Sequence, residues 1–468
     1  MKLFSALVLL CCACAGPTPC PPCPDSKCNC TPDTGVPLPP IIRADAAVIY
    51  PHVDAGTPVV CTGCQCPTAE PAKRMHRHLF RDGHPATEPH EAVCPGADSD
   101  HPGRKHCTSR IRHEWDVGHK SHHVKRFSAP SGFGPADLAS AYKLPSVPAT
   151  NALIAIVDAY GYKNAESDLA TYRKQYGLPA CTVASGCLKI VNQNGKTSPL
   201  PPNPPADDDW TVETALDLDL ASAACPNCKL LLVQAQDDQS DGLYTANNAA
   251  VLAGATVISN SWGSPESGSM LAYEAYFNHP GVTIFVAAGD DGYDDGGQGA
   301  DYPSTSAYVV AVGGTSLVKD TSSRGWSETA WTSGGSSCST SIGKPSWQTA
   351  ATECSGRAAS DVSAVGDPNT GLAVYNHANG GWIVVGGTSA SSPFVAGVYA
   401  LTGHGAVGPA FAYQTHAWFD VTSGSNGGCG TPLCTAGIGW DGPTGLGTPN
   451  GAVLMGSAPP ICPTGCCK

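Results

Sequence analysis

The 468-residue sequence predicts an α/β protein: a doubly wound, mostly parallel sheet with helices on both faces, preceded by a Cys/Pro/His-rich, largely irregular N-terminal region. Three observations predict it. Continuous apolar runs recur beyond residue 150, and strands buried on both faces read this way. Helix-compatible stretches separate those runs, and such alternation points to parallel strands joined by helical crossovers. Composition also changes near residue 128: the first 127 residues hold 12 of the 23 cysteines and 11 of the 15 histidines, with little apolar periodicity.

Residues 1–15 begin Met1-Lys2 and continue through a short apolar run to Ala13-Cys14-Ala15, the layout of an export signal. The run is shorter than the roughly 20 residues a membrane span needs. Cys14 after a small residue also permits lipid attachment, so the expected location is either secreted or held at the cell envelope as a lipoprotein. Residues 16–127 read as a spacer or pro-region ("CPPCPDSKCNC", "CTGCQC") that ends in "SHHVKRFSAP". Extended, disulfide-pinned or irregular structure is expected there. Its histidines lack HExxH spacing and are expected to be solvated, and Lys125-Arg126 is a candidate dibasic processing site.

The main domain is expected over residues 128–460, with a Cys-containing tail at 461–468. Its predicted strands are 152–158, 229–235, 255–261, 282–289, 308–314 and 381–387. Helices are predicted at 163–176, 210–224, 242–253, 267–278 and 389–402. Export favours disulfides, and close spacing pairs Cys181 with Cys187, Cys225 with Cys228, Cys338 with Cys354, and Cys429 with Cys434. Cys225 and Cys228 have CxxC spacing, but no second pair completes a zinc site. Residues 128–468 carry 12 Lys+Arg against 27 Asp+Glu, so nucleic acid is excluded as an expected partner.

In "VVGGTSASSPFVAG", residues 384–397, Ser389 lies between a strand end and a helix start. A serine there is either a helix cap or a nucleophile, and a nucleophile needs a base. The histidines beyond residue 128, namely His279, His377, His404 and His416, sit in turn-like surroundings, which makes a Ser-His-Asp arrangement hard to assemble. Carboxylates offer another base. Glu213 and Asp217 in "ETALD" are four apart and share one helix face; they are either a solvated acidic helix start or a functional pair. Close carboxyls titrate as one unit, with one pKa raised by the other. "VAAGDDG" ends a strand at Gly289 and Asp290, and a protonated Asp290 would donate to a developing oxyanion. These roles demand low pH. Trp262 either backs the site or belongs to the core.

Together "GGTSASSP", "ETALD", "AAGDDG" and "SNSWG" resemble the sedolisin family of serine-carboxyl peptidases, acid endopeptidases with a subtilisin-like fold. The resemblance runs from "GFGPADLASAYKLP" (132–145) through "SDVSAVGDPNTGLAVY" (360–375) to about residue 452. It implies Ser389 as nucleophile, Glu213 as general base and later general acid, Asp217 as its orienting partner, and Asp290 as the oxyanion-stabilising acid. It also implies one structural Ca²⁺ in "WFDVTSG" and "AGIGWDGPTGLGTPNG", held by the Asp420 and Asp441 carboxylates and by backbone oxygens of Val421, Gly437 and Gly439, an all-oxygen set suited to that ion. The first 127 residues show no match to the long folded propeptide the family implies. Asp158 stands where some members place a Glu, so an extended proton network is expected to be shortened or absent.

The leading expectation is an exported, monomeric acid endopeptidase acting on protein or peptide substrates through an acyl-enzyme at Ser389. Two alternatives are a catalytically silent surface-binding protein that keeps the fold, and a subtilisin-type hydrolase with an unplaced histidine. Retention of both carboxylates and Ser389 argues against the silent protein.

Overall fold

Alternating apolar runs and helices fold as a layered sheet in the computed structural model, which describes residues 90–96, 104–116, 121–146, 152–205, 208–350 and 352–456. The export signal at 1–15 and the tail at 461–468 lie outside the described residues. Four short strands come first: β1 (His90–Ala92), β2 (His106–Cys107), β3 (Arg110–Asp116) and β4 (Ser121–Val124). Helix α1 (Pro135–Ala141) leads to β5 (Leu153–Ala159), α2 (Ala165–Gln175), β6 (Leu188–Asn192), α3 (Trp210–Ala224), β7 (Lys229–Ala235), α4 (Gly242–Leu252) and β8 (Val257–Asn260). There follow β9 (Trp262–Pro265), β10 (Thr283–Ala287), β11 (Asp301–Tyr302), β12 (Val309–Lys319) and β13 (Trp326–Ala330). The hairpin of β14 (Ser337–Gly343) and β15 (Gly356–Ala359) precedes β16 (Val362–Val365), β17 (Leu372–Asn376), β18 (Gly381–Gly386) and α5 (Thr388–Leu401).

The main sheet runs β13-β12-β10-β8-β5-β7-β6, with β16 also paired to β12. Every pair is parallel except β12 with β13. Side chains alternate between its two faces as the pleat requires. Ile154 and Ile156 pack with residues of α1, α2, α3 and α5, whereas Ala155 and Val157 pack with α4. Helices therefore cover both faces, and β5 is buried throughout beyond Leu153. All four close-spaced cysteine pairs form disulfides. Among the described residues, no helix is long and apolar enough to cross a membrane.

Three expectations change. The run at 381–387 does not join the parallel sheet: β18 pairs antiparallel with β17 and with β3. Only residues 377–380 separate β17 from β18, room for a hairpin but not for the dozen or more residues of a parallel crossover. The segment expected as a helix at 267–278 forms a 3₁₀ helix over Gly268–Tyr276. Residues 90–127, expected to be part of an irregular spacer, instead supply β1 to β4. In that set β3 pairs with β1, β4 and β18, and β2 pairs with β9. A fifth disulfide, Cys94–Cys107, joins this segment to itself. All described residues belong to one compact unit.

Candidate active site

Helix α3 is buried along its whole length, including Glu213, Asp217 and Asp219. It packs on α5 at unusually close range because residue 397 is glycine: a Cβ there would lie 2.5 Å from the Ala224 Cβ. The carboxyls of Glu213 and Asp217, one turn apart on α3, are thereby carried to the start of α5, where Ser389 is fully buried. Asp158, at the end of β5, completes a group of three acids. Neither oxygen of Glu213 or Asp158 has a hydrogen-bond partner of ordinary length, and Asp217 keeps one free oxygen. The other accepts from Ser261 Oγ at 3.0 Å.

Burial raises all three pKa values, because removing a carboxylate from water disfavours its charge. The Asp158 carboxyl reaches about 7 through burial, with Thr214 opposing. Glu213 and Asp217 are pushed well above the usual carboxylate range by burial first and by Asp158 second. The hydroxyls of Ser109 and Ser389 act on Glu213 in the opposite sense, favouring its ionised form. Such a cluster retains protons where ordinary carboxyls have lost them, and its members titrate together.

The approach to α5 depends on Gly387, whose φ of +105° is a conformation side chains rarely adopt. The first helical N–H groups have no partner inside the helix. Thr388 N donates to Asp290 Oδ1 at 2.8 Å, and Ser389 N donates to the Thr108 carbonyl at 2.9 Å. Asp290 Oδ2 accepts no hydrogen bond but lies 3.6 Å from Arg110 Nε. Burial raises the Asp290 carboxyl to about 7, opposed chiefly by the nearby Arg110 guanidinium. Pro393 lies well inside α5 rather than in its first turn. Proline has no N–H to offer four residues back, and the Ser389 carbonyl lies 3.4 Å from Ser261 Oγ instead.

Ser389 Oγ lies 3.0 Å from Thr108 Oγ1 and 3.3 Å from the Ser261 carbonyl. The histidines beyond residue 128 lie elsewhere. His404 stacks on Phe411 beyond the far end of α5, His279 bonds Tyr276, the His377 amide bonds Asp168, and His416 is exposed. Trp262 is core: its indole donates to the Val157 carbonyl at 3.1 Å and its ring meets Tyr244 edge-on. Thr108, Ser109 and Arg110 were missed from the sequence, since "CTSR" has no apolar pattern and is placed by backbone pairing.

The expected metal residues gather in a separate loop. Gly439 N donates to Asp420 Oδ2, and Gly437 N to Asp441 Oδ2, each at 2.9 Å. Thr444 bonds the other Asp441 oxygen, and Val421 is buried between them in sequence. Burial raises Asp441 to about 6, and the Asp420 charge adds to it. Two carboxylates that repel one another across a turn fit a hard cation bound by oxygens. The Cys429–Cys434 insertion is closed off by an antiparallel bridge between Ser425 and Thr435, outside the 437–441 turn. Among the described residues, no group of three or more His, Cys, Asp or Glu side chains is placed to hold a metal ion.

Comparison with known proteins places this geometry. A model of the Subtilase family matches residues 205–408. Kumamolisin of Bacillus sp. (strain MN-32) is 32% identical over 397 residues, covering 77% of this chain and 69% of that protein. Sedolisin of Pseudomonas sp. (strain 101) is 27% identical over 358 residues, 68% of this chain and 60% of its own length. A solved structure of Pseudomonas sedolisin, a serine-carboxyl proteinase complexed with two molecules of pseudo-iodotyrostatin, aligns with a TM-score of 0.61 at 27% identity. It covers 70% of this chain and 98% of the solved one.

Proposed function

The chain belongs to the sedolisin family and is a serine-carboxyl peptidase, and from that premise we propose that it is an exported acid endopeptidase working through an acyl-enzyme at Ser389. The observation that carries this reading is the burial of Glu213, Asp217 and Asp158 together beside Ser389, with a peptide carbonyl on the Ser389 amide. Glu213 takes the hydroxyl proton as Ser389 attacks, and Asp217 orients it. The Ser389 N–H and a protonated Asp290 stabilise the oxyanion; such donors are worth roughly 3 to 4 kcal/mol. Glu213 then protonates the departing amine and activates the water that releases the acyl group. A carboxyl base suits acid, where a histidine would be charged.

Substrates are proteins or peptides. Five disulfides among the described residues support an oxidising destination, and the pattern of residues 1–15 supports export. The loop of Asp420, Val421, Gly437, Gly439 and Asp441 is read as the holder of one Ca²⁺, which when bound offsets the repulsion of the two carboxylates.

The test is hydrolysis of a denatured protein from pH 3 to 8 by the wild type, Ser389→Ala and Glu213→Ala. Activity is expected on the acid side, declining above about 7 as Asp290 loses its proton. Each variant should lose at least about 10³-fold in kcat, on the scale seen for nucleophile and base removal. A neutral or alkaline maximum, or a variant that keeps its rate, overturns the mechanism.

A further inference from the structure

An aspartate is seldom fully buried unless a cation or hydrogen bonds meet it. Asp208, just before α3, and Asp238, just beyond β7, are both fully buried, and both face one guanidinium. Arg104 Nε donates to Asp238 Oδ2 at 2.7 Å, and its Nη2 donates to Asp208 Oδ2 at 2.8 Å. The Tyr160 hydroxyl donates to Asp238 Oδ1 at 2.9 Å and fixes the direction of that carboxyl. Tyr160 follows β5 with a φ of +62°, a backbone conformation unfavourable for an aromatic residue. Asp208 Oδ1 is buried and accepts no hydrogen bond. Burial first and the Asp238 charge second raise the Asp208 carboxyl to about 7. In acid a proton therefore sits on the pair, and one negative charge faces one positive charge.

These groups stand in fixed register with Ser389. Lys105 N donates to the Asp238 carbonyl at 2.8 Å, His106 and Cys107 pair antiparallel with Gly263 and Trp262 of β9, and Thr108 N donates to the Ser261 carbonyl at 3.1 Å. The Thr108 carbonyl accepts from the Ser389 amide at 2.9 Å. All of these are main-chain bonds, which an extended peptide of almost any sequence makes. A peptide that follows the same ladder with a carbonyl on the Ser389 amide brings its residue four positions upstream to Asp208 and Asp238, about 13 Å along a strand. The neighbouring position asks less of its side chain. Lys105 Nζ meets only the main-chain carbonyls of Gln239 and Ser240 and the face of the Tyr244 ring.

We infer that Asp208, Asp238 and Tyr160 form an arginine subsite of the cleft, and that the enzyme favours protein substrates with arginine fifth before the bond that is cut. The inference rests on the proposed function, to which it adds a substrate class. Two carboxyls that meet different nitrogens of one planar fork suit a guanidinium, whereas an ammonium is a point charge without that geometry. An uncharged side chain in the same place leaves two carboxyls taken from water with no cation between them, which weakens binding. Contacts this far from the reacting carbonyl act by holding the chain in the register that presents one particular bond to Ser389.

A denatured protein is digested in acid, the cuts are mapped by mass spectrometry, and the residue fifth before each cut is scored. Arginine is expected there at least about 5-fold above its share of the substrate. One such site is then made as three peptides, identical except for arginine, citrulline or lysine at that position. The kcat/KM for arginine is expected to exceed that for citrulline at least about 10-fold, with lysine between them. Asp238→Asn is expected to bring the arginine-to-citrulline ratio within about 2-fold. Since that exchange also removes a partner of Arg104, the three peptides on the unaltered enzyme decide the matter if the variant does not fold. Digestion without arginine enrichment, or equal rates for arginine and citrulline, overturns this inference and leaves the peptidase reading standing. Lysine that matches arginine, or a folded Asp238→Asn that keeps the preference, overturns the guanidinium assignment. No digestion at any pH overturns both readings.

Discussion

In the proposed mechanism Asp290 is a carboxyl that behaves as a neutral donor. One oxygen takes the Thr388 amide, and the other lies 3.6 Å from Arg110 Nε and close against Gly387: a Cβ at residue 387 would meet the Thr108 carbonyl at 2.2 Å and Asp290 Oδ2 at 2.7 Å. With its pKa raised to about 7, Asp290 donates below that pH and repels an oxyanion above it. Asp290→Asn is therefore expected to lose the alkaline limb of the kcat profile, because an amide donates at every pH, while Asp290→Ala lowers kcat about 100- to 1,000-fold. A limb that persists unchanged in Asp290→Asn assigns it to another group. Ser389, Glu213, Asp217 and Asp290 were legible as candidates because each lies on or beside a long apolar element whose period fixes its direction. Thr108 to Arg110 were illegible because backbone ladders place them, and a ladder asks nothing of side-chain identity.

At the scale of elements, the contact between α3 and α5 sets the distance between Glu213 and Ser389, the proposed base and nucleophile. Gly397 allows it, with Ala221 and Ala224 opposite. Gly397→Val is expected to destabilise the fold by about 1 to 3 kcal/mol, the usual cost of overpacking, and to lower kcat/KM by at least 10-fold by moving Glu213 away from Ser389. Urea denaturation of the variant on a Ser389→Ala background gives the first quantity, and peptide hydrolysis the second. Equal kcat/KM with lowered stability would mean the helices separate without disturbing the site. Strand and helix order in the main sheet followed from apolar runs, but the sheet membership of β18 did not. An apolar run reports burial, and the short link to β17 reports direction.

Over the whole molecule, acids with raised pKa values make stability depend on pH. Asp158, Asp290, Asp295 and Asp301 all lie at about 7, each chiefly through burial. Unfolded, they would titrate near 3.8, so the native state holds more protons between about 4 and 7, and stability falls as pH rises through that window. For the Ser389→Ala protein, Tm is expected to drop by at least about 5 °C between pH 4 and 7. A chelator should lower Tm further at pH 7 and less at pH 4, since Asp441, at about 6, is protonated in acid and binds cations only when ionised. A flat Tm, or a chelator effect that is absent at pH 7, contradicts these assignments.

The disulfides have a meaning for a molecule that lives among copies of itself. Those among the described residues close loops of 3, 5, 6, 13 and 16 residues in sequence separation, and none of them ties distant parts together. In the proposed mechanism a peptide substrate lies drawn out straight across Ser389. A loop knotted at its base over 3 to 6 residues has too little slack to be drawn out that way. Surface loops are ordinarily where nicking begins, and here the shortest are sewn shut, which shields the enzyme from its neighbours without changing a single catalytic atom.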